Sequence, residues 1–397
     1  MVLAAALGAC LPVLAAAQTT IDAPDTAATA AAARALSSRI SLTGTARSYR
    51  VGDSSVTERV VNARYEMFFA RYRLRIDASA LRYSTRTDLI EGALPISTRL
   101  DVALQPGDTL SAYVRTASRP RDLTSTQTAS LGVAGTSTVE LESASLGSPA
   151  VGGARLAMAF PVGELVLATR AAAEIEPRPT GTLPVYWRGT TLRGGLSLTT
   201  AGESGSLSGM IDATYSTADS LGGRNLFPGG ASVTLQLLGD ASVPNPFDPL
   251  EDERWPLRAL AFYSRPFGDD RADQPTLLIP QGSLIGGVGT LLVPIGAITL
   301  APTLTVLRES SSATSTAGVL RSNISGSAWT AQAGIDVTVP VGARFELTPQ
   351  LGYTIGNVGA ALSQTTFFRR GRGLTQATSF SDAIHGSWVS LQLSAAF

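Results

Sequence analysis

Apolar and polar residues alternate with a period of two along most of the chain, from about Ile40 to the last residue. The final segment shows it most clearly. Val389, Leu391, Leu393, Ala395 and Phe397 share one face, and Trp388, Ser390, Gln392 and Ser394 share the other. Before it, Phe345, Leu347, Leu351, Tyr353 and Ile355 alternate with Glu346, Thr348, Gln350 and Thr354. Earlier still, Trp329, Ala331, Ala333, Ile335, Val337 and Val339 alternate with Thr330, Gln332, Asp336 and Thr338. A strand points successive side chains to opposite faces, so the pattern predicts strands with one apolar and one polar side. Followed through the chain it predicts sixteen, over 40–50, 57–69, 72–83, 96–104, 108–117, 151–160, 164–176, 186–200, 206–217, 231–239, 254–265, 283–292, 297–308, 327–339, 343–355 and 385–397. Most are longer than the usual five or six residues of a strand and match what a tilted strand needs to cross a bilayer. Counts of 14 or 18 stay open at two places. One is the turn near Ala70, which lacks Gly and Pro, and the other is the connection 240–253.

Tight turns recur between runs. Phe160-Pro161-Val162-Gly163, Val293-Pro294-Ile295-Gly296 and Val339-Pro340-Val341-Gly342 each separate two alternating segments, as does Gln105-Pro106-Gly107-Asp108. Proline fixes φ and glycine accepts positive φ, which suits hairpins. Between these turns the polar stretches 118–150, 177–185, 218–229, 266–282, 309–326 and 357–383 read as long connections. Short turns at one end and long loops at the other fit a membrane barrel whose tight end and termini face the periplasm.

The N-terminus changes the picture of where the chain goes. Residues 2–17 are apolar and end in Ala15-Ala16-Ala17, which reads as a secretory signal over 1–17, although the first basic residue is Arg34. Cys10 is the single cysteine, and Leu7-Gly8-Ala9-Cys10 resembles a lipoprotein cleavage box. Cleavage after Ala17 leaves a chain without thiol chemistry or disulfides. Residues 18–39, with Ala27 to Ala33, form an Ala/Thr-rich periplasmic tail, a short helix or disordered, with too few large apolar residues to pack. The barrel is expected over 40–397. No later stretch is long and apolar enough for a transmembrane helix.

Composition supports a membrane fold and removes other classes. Charged residues make up 16% of the 397, against about 25% in soluble domains. Net charge is zero, which gives no electrostatic case for nucleic acid. All 31 basic residues are Arg, a sign of a GC-rich genome. A sheet crosses lipid only when it closes on itself and pairs every backbone group. The expected fold is therefore all-β, a closed antiparallel transmembrane β-barrel of about sixteen strands. The chain ends on Phe397 in an alternating strand that includes Leu393 and Leu391. This resembles the C-terminal strand of bacterial outer-membrane β-barrel proteins. The resemblance implies an outer-membrane location, recognition of Phe397, Leu393 and Leu391 by the barrel-assembly machinery, and contact with outer-membrane lipid and lipopolysaccharide.

Function should show on the polar face. Arg64 and Glu66, then Arg73, Arg75, Asp77 and Ser79, then Arg99 and Asp101, then Arg115 fall on that face of four successive strands, with Arg71 just before. An Arg in lipid near the midplane costs about 2–4 kcal/mol, which favours placement inside, and a charged ring inside a pore sets ion selectivity. The alternative is a salt-bridged, solvated wall without selectivity. The connection 118–150 follows the fifth strand and contains Glu140 and Glu142. Its position resembles that of the pore-constricting loop of sixteen-stranded porins, which implies Glu140 and Glu142 facing Arg64, Arg73, Arg75, Arg99 and Arg115. The family's loop sequence is not present. The expected function is a passive, porin-like pore for small hydrophilic solutes. A transporter of hydrophobic solutes and a structural or adhesive barrel are alternatives.

The enzyme alternative rests on His385, the single histidine, and Ser387, which share the apolar face of the last strand. Outer-membrane phospholipases are similar in having a His and a Ser two apart on a lipid-facing strand, with a third group orienting the base. No Asn or acidic partner is evident, and an amphipathic rim position explains the histidine equally. No cofactor is expected. The acidic runs Asp248, Glu251, Asp252, Glu253 and Asp269, Asp270, Asp273 suit Ca²⁺ or, more simply, water. Gly286-Gly287-Val288-Gly289 lies inside a strand and matches no phosphate loop.

Overall fold

A computed structural model describes residues 37–85, 89–92, 96–105, 108–116, 150–175, 190–202, 205–216, 230–245, 254–268, 281–317, 320–367 and 373–397. The strands are β1 (Ser37–Val51), β2 (Ser54–Phe69), β3 (Tyr72–Thr85), β4 (Leu89–Gly92 continued by Ile96–Gln105), β5 (Asp108–Thr116), β6 (Ala150–Val162), β7 (Leu165–Ile175) and β8 (Thr190–Gly202). They continue as β9 (Gly205–Ser216), β10 (Gly230–Pro244), β11 (Arg254–Gly268), β12 (Gln281–Leu291 continued by Val293–Ile295), β13 (Ile298–Ala317), β14 (Leu320–Val341), β15 (Phe345–Phe367) and β16 (Gly373–Ala396). The two halves of β4 both pair with β3, and those of β12 both pair with β13, so each is one interrupted strand. Every neighbour pair is antiparallel, and β1 closes the ring on β16 from Arg39↔Ala396 to Val51↔Ile384. The fold is a closed sixteen-strand barrel with no free edge.

The polarity of this barrel is the reverse of a soluble one. On β16, Val389 is 58% exposed while the neighbouring Ser390 is 5% exposed. On β15, Leu351 is 56% exposed and Thr354 only 4%. Leu42, Val61, Val114, Leu192, Ile211, Leu237, Ile285 and Leu304 are all exposed on the outside, and Thr45, Glu66, Asp101, Ser111, Thr191, Gln236, Thr305 and Thr330 are buried against the wall on the inside. An apolar exterior around a polar interior is stable only where lipid is the outer solvent. No helix among the described residues is long and apolar enough to cross a membrane, so the strands do the crossing. The protein is a bacterial outer-membrane β-barrel.

Both described ends, Ser37 and Phe397, lie at one rim, joined by Ser38 N to Phe397 O at 3.0 Å. That rim carries turns at 70–71, 163–164, 296–297 and 342–344, and is called the periplasmic rim because outer-membrane barrels turn short there. Gly163, Gly296 and Gly342 take φ of 64°, 60° and 71° in the predicted Pro-Gly turns. Ala70 makes the same turn at φ 49° without glycine. An L side chain there costs about 1–2 kcal/mol, and the register of β2 on β3 holds it in place. Residues 1–36, including the expected signal, lie outside the described residues, and β1 takes in the last three residues of the stretch 18–39.

The outer rim departs from expectation. The stretches 309–326 and 357–383, read as loops from their polar composition, are strand over most of their length. Strands β13 to β16 run 20, 22, 23 and 24 residues, leaving only 318–319 and 368–372 as connections. Likewise β1 and β2 join at the outer rim through only Gly52 and Asp53, whereas at the opposite rim β10 continues to Pro244 into the expected connection 240–253. Beyond the lipid both faces of a sheet meet water, so alternation disappears while β-branched Thr and antiparallel pairing keep the strand. Thr365 and Thr375 illustrate this with a cross-strand hydroxyl contact of 3.0 Å.

Inside the wall, the Trp388 ring lies over two glycines of the neighbouring strands. A Cβ at Gly352 would lie 2.5 Å from that ring, and one at Gly334 would lie 2.8 Å from it. Gly352→Val is therefore expected to destabilise the barrel by about 1–3 kcal/mol through overpacking, measured by urea unfolding in detergent micelles. Stability equal to wild type would show that the ring moves aside freely.

Candidate pore-lining site

The β2–β3 and β3–β4 registers bring the predicted charges together on the inner face. Arg64 lies opposite Asp77, and its Nε donates to Asp77 Oδ1 at 2.6 Å. Arg75 Nε donates to the other oxygen of Asp77 at 2.7 Å, and Ser97 Oγ adds a contact at 3.4 Å. Arg73 Nη2 donates to Glu66 Oε1 at 2.6 Å, with its guanidinium 5.4 Å from the centre of the Phe68 ring. Arg75 stands directly opposite Arg99. Like charges so placed repel, and each turns along its own strand to a carboxylate two residues on, Arg99 Nε reaching Asp101 Oδ1 at 2.6 Å. Arg99 also donates to Ser111 Oγ at 3.3 Å. The backbone of Arg115 pairs opposite Ser97 and Val151, while its side chain is outside the described residues, as are Glu140 and Glu142.

The network does not stop at β5, where the sequence reading ended it. On β7 and β9, Arg170 and Asp212 form a two-point ion pair, with Arg170 Nε to Asp212 Oδ1 at 2.7 Å. Strand β8 runs between them, and Gly195 stands at the crossing, where a Cβ would fall on both groups. Tyr113 uses the same device. Its hydroxyl crosses β6 above Gly153 and donates to Glu174 at 3.1 Å, and Arg193 approaches the same carboxylate at 3.5 Å. Farther round, Arg258 lies 3.2 Å from Asp240. All but Asp240, which falls in the expected connection 240–253, sit in the predicted strands on the predicted polar face, so the same alternation would have found them. Their pairing across an intervening strand has no local signal.

The far wall carries scattered charge, with Arg47, Glu309, Asp336, Glu346 and Asp382 on its inward face. Hydroxyl pairs line it: Thr45 with Ser390, Thr290 with Thr303 and Thr234 with Ser264, each at 2.9 Å, and Gln350 Nε2 donates to Asp336 at 3.1 Å. Among these lies an apolar patch, with Leu260 at 3% and Phe262 at 5% exposure packed with Leu238, Leu284 and Leu307. All five project from β10–β13 on the same side as Arg258 and Thr290.

His385 and Ser387 are exposed on the lipid side of β16. Neither has a side-chain hydrogen bond among the described residues. Asn357, the nearest lipid-side amide on β15, accepts from Ser381 at 3.1 Å instead. No nucleophile and base are hydrogen-bonded there. Phe397, Leu393 and Leu391 are exposed on the outer face beside β1. No group of potential metal ligands occurs among the described residues, and the two acidic runs fall outside them.

No protein-family model matches the chain, and no curated protein matches it. Solved structures with a similar course include OmpT, an outer membrane protein of Vibrio cholerae, at 7% identity and TM-score 0.41 over 91% of this chain and 98% of that one. A bacterial polysaccharide outer membrane secretin follows at 8% identity and TM-score 0.42, also over 91% and 98%. Pseudomonas aeruginosa OccK5 (OpdH) has 9% identity and TM-score 0.36 with the same coverage. At these values the likeness assigns neither solute nor activity.

Proposed function

We propose that the protein is a passive outer-membrane pore for small hydrophilic solutes, with a dense ion-paired arc on one part of its lumen wall. The observation that carries this reading is the inward polar face of a sixteen-strand ring. Barrels of that size enclose an aqueous channel rather than a side-chain core. Arg64, Arg73, Arg75 and Arg99, held by Glu66, Asp77 and Asp101, form a rigid charged arc on β2–β4, and Arg115 and the segment with Glu140 and Glu142 belong to the same proposal. Ion pairing fixes each guanidinium in place, so a passing ion meets an ordered array of charges. The test is planar-bilayer conductance of the purified protein, with discrete ohmic steps and swelling of liposomes in small neutral sugars as the expected results. A protein that inserts stably yet never conducts would sink the reading.

One observation favours a second reading, passage of apolar solutes. The Leu260–Phe262 patch places apolar side chains on the inner side of β10–β13. Uptake of an apolar dye into vesicles without ion conductance would select it. The catalytic reading gains no support, because neither His385 nor Ser387 has a side-chain hydrogen bond among the described residues. The residues 1–17 as a cleaved signal and Phe397, Leu393 and Leu391 as an assembly signal are retained as part of the proposal.

A further inference from the structure

Trp388 lies on the inner face of β16, opposite Gly352 of β15, and Gly334 of β14 is next in the same row. Neither glycine has a positive φ, so backbone conformation does not require them. A glycine inside a strand weakens it and marks a place where another group comes close. Here that group is the indole. A Cβ at Gly352 would lie 2.5, 2.5 and 2.6 Å from ring atoms Cε2, Nε1 and Cζ2, and one at Gly334 would lie 2.8 Å from Cζ2. Near-equal distances to three adjacent ring atoms mean that the ring turns its face, not its edge, to the wall. The other face looks into the lumen, and Trp388 is only half-buried.

Packing alone gives no reason for this pose. The indole N–H is buried and has no hydrogen-bond partner among the described residues. A buried indole usually finds an acceptor, because an unmade bond is costly. The wall thus forgoes two side chains and one hydrogen bond to hold an aromatic plane flush with itself. Polar groups frame that plane. On β14, Gln332 and Asp336 are the inward positions on either side of Gly334, and on β15 Gln350 is the inward position on the periplasmic side of Gly352. Gln350 Nε2 donates to Asp336 Oδ2 at 3.1 Å, and Asp336 Oδ1 has no hydrogen-bond partner among the described residues. The Gln332 amide has none either. Across the barrel closure, Arg47 of β1 stands opposite Trp388. One cation and one carboxylate flank the ring, so the surroundings favour neither a cationic nor an anionic ligand.

A molecule with C–H bonds on one flat face and hydroxyls around its edge matches this layout. The C–H face stacks on the indole as apolar surface, and the hydroxyls meet the amide and carboxylate beside it. We propose that Trp388, Gln332 and Asp336 form a subsite for an uncharged sugar ring on the lumen wall. Such a subsite presupposes a lumen that admits sugars, as the pore reading holds, and gives that pore a solute class.

The test titrates the full-length barrel calorimetrically, folded in a polyoxyethylene detergent whose headgroup carries no sugar. The probes are maltotriose, sorbitol, which has the hydroxyls without the ring, and choline, a cation that seeks aromatic faces. Maltotriose is expected to bind saturably, and sorbitol and choline at least about fivefold more weakly. Trp388→Ala should weaken maltotriose binding at least about fivefold and Trp388→Phe less, because a smaller ring still offers a face. Gln332→Ala with Asp336→Asn should weaken it as well, with the ring in place. Trp329→Phe, which alters an indole on the lipid face, should change nothing. The proposal is overturned if Trp388→Ala binds maltotriose as wild type does, if sorbitol binds as tightly as maltotriose, or if choline binds more tightly than either. Should Trp388→Ala fail to fold, the Gln332 and Asp336 double variant carries the same comparison. Conductance of the same protein separates the two readings. Ohmic steps without sugar binding remove the subsite and leave the pore, and sugar binding without conductance removes the pore and leaves the subsite.

Discussion

Leu351→Arg is expected to destabilise the barrel by about 2–4 kcal/mol when it is folded into phosphatidylcholine vesicles. Leu351 lies on the outer face of β15, between Phe345 toward the periplasmic rim and Tyr353 and Ile355 toward the outer one. Leu351 pairs laterally with Ile335 and Val389, so the new guanidinium has no acid beside it. Deep in hydrocarbon it has to reach for a headgroup or thin the bilayer, and that reach is the energetic cost. The control is Gln332→Arg on β14, whose side chain is on the inner face; it should change stability by no more than about 1 kcal/mol, because that face is wet. The measurement is equilibrium urea unfolding in vesicles. In a soluble protein the ranking would reverse, since an exposed Leu accepts Arg easily and an inward polar site does not. Equal stability of Leu351→Arg and wild type in lipid would remove the membrane-facing assignment.

Neutralising charges of opposite sign in the lumen is expected to move the reversal potential in opposite directions. Arg73→Gln with Arg75→Gln removes two cations and releases Glu66, which should shift the pore toward cations. Asp77→Asn leaves Arg64 and Arg75 without their shared carboxylate and should shift it toward anions. A unit charge about 4 Å from a passing ion is worth about 1 kcal/mol in water, roughly fivefold in local ion concentration. Screening limits the range to about 10 Å at 0.1 M salt and about 3 Å at 1 M. The shifts should therefore be clear in a dilute potassium chloride gradient and nearly vanish at 1 M. Unchanged potentials in both variants would mean that the arc is a structural ion-pair wall away from the permeation path.

The uneven success of the sequence reading has a physical basis. Strand β15 shows both outcomes in one element. Over 345–355, lipid on one side and water on the other impose a period of two, and both the strand and its faces are legible. Over 357–367 water meets both sides, the period vanishes, and the same strand reads as a loop. The charged arc was half legible for a related reason. Arg64, Arg73, Arg75, Arg99 and Asp101 declare their face by parity, but Arg170 and Asp212 become partners only through the register of three strands. Gly195 is the residue that lets the contact pass over β8.

By itself the sequence determined that the chain forms strands, that sixteen of them fit, and which side of each is greasy, because side-chain parity and Pro-Gly turns are local properties. Tertiary structure alone decided that β1 closes on β16, how far the outer ends extend, and which cation meets which carboxylate. These depend on register between distant strands, which is set by the closed ring as a whole.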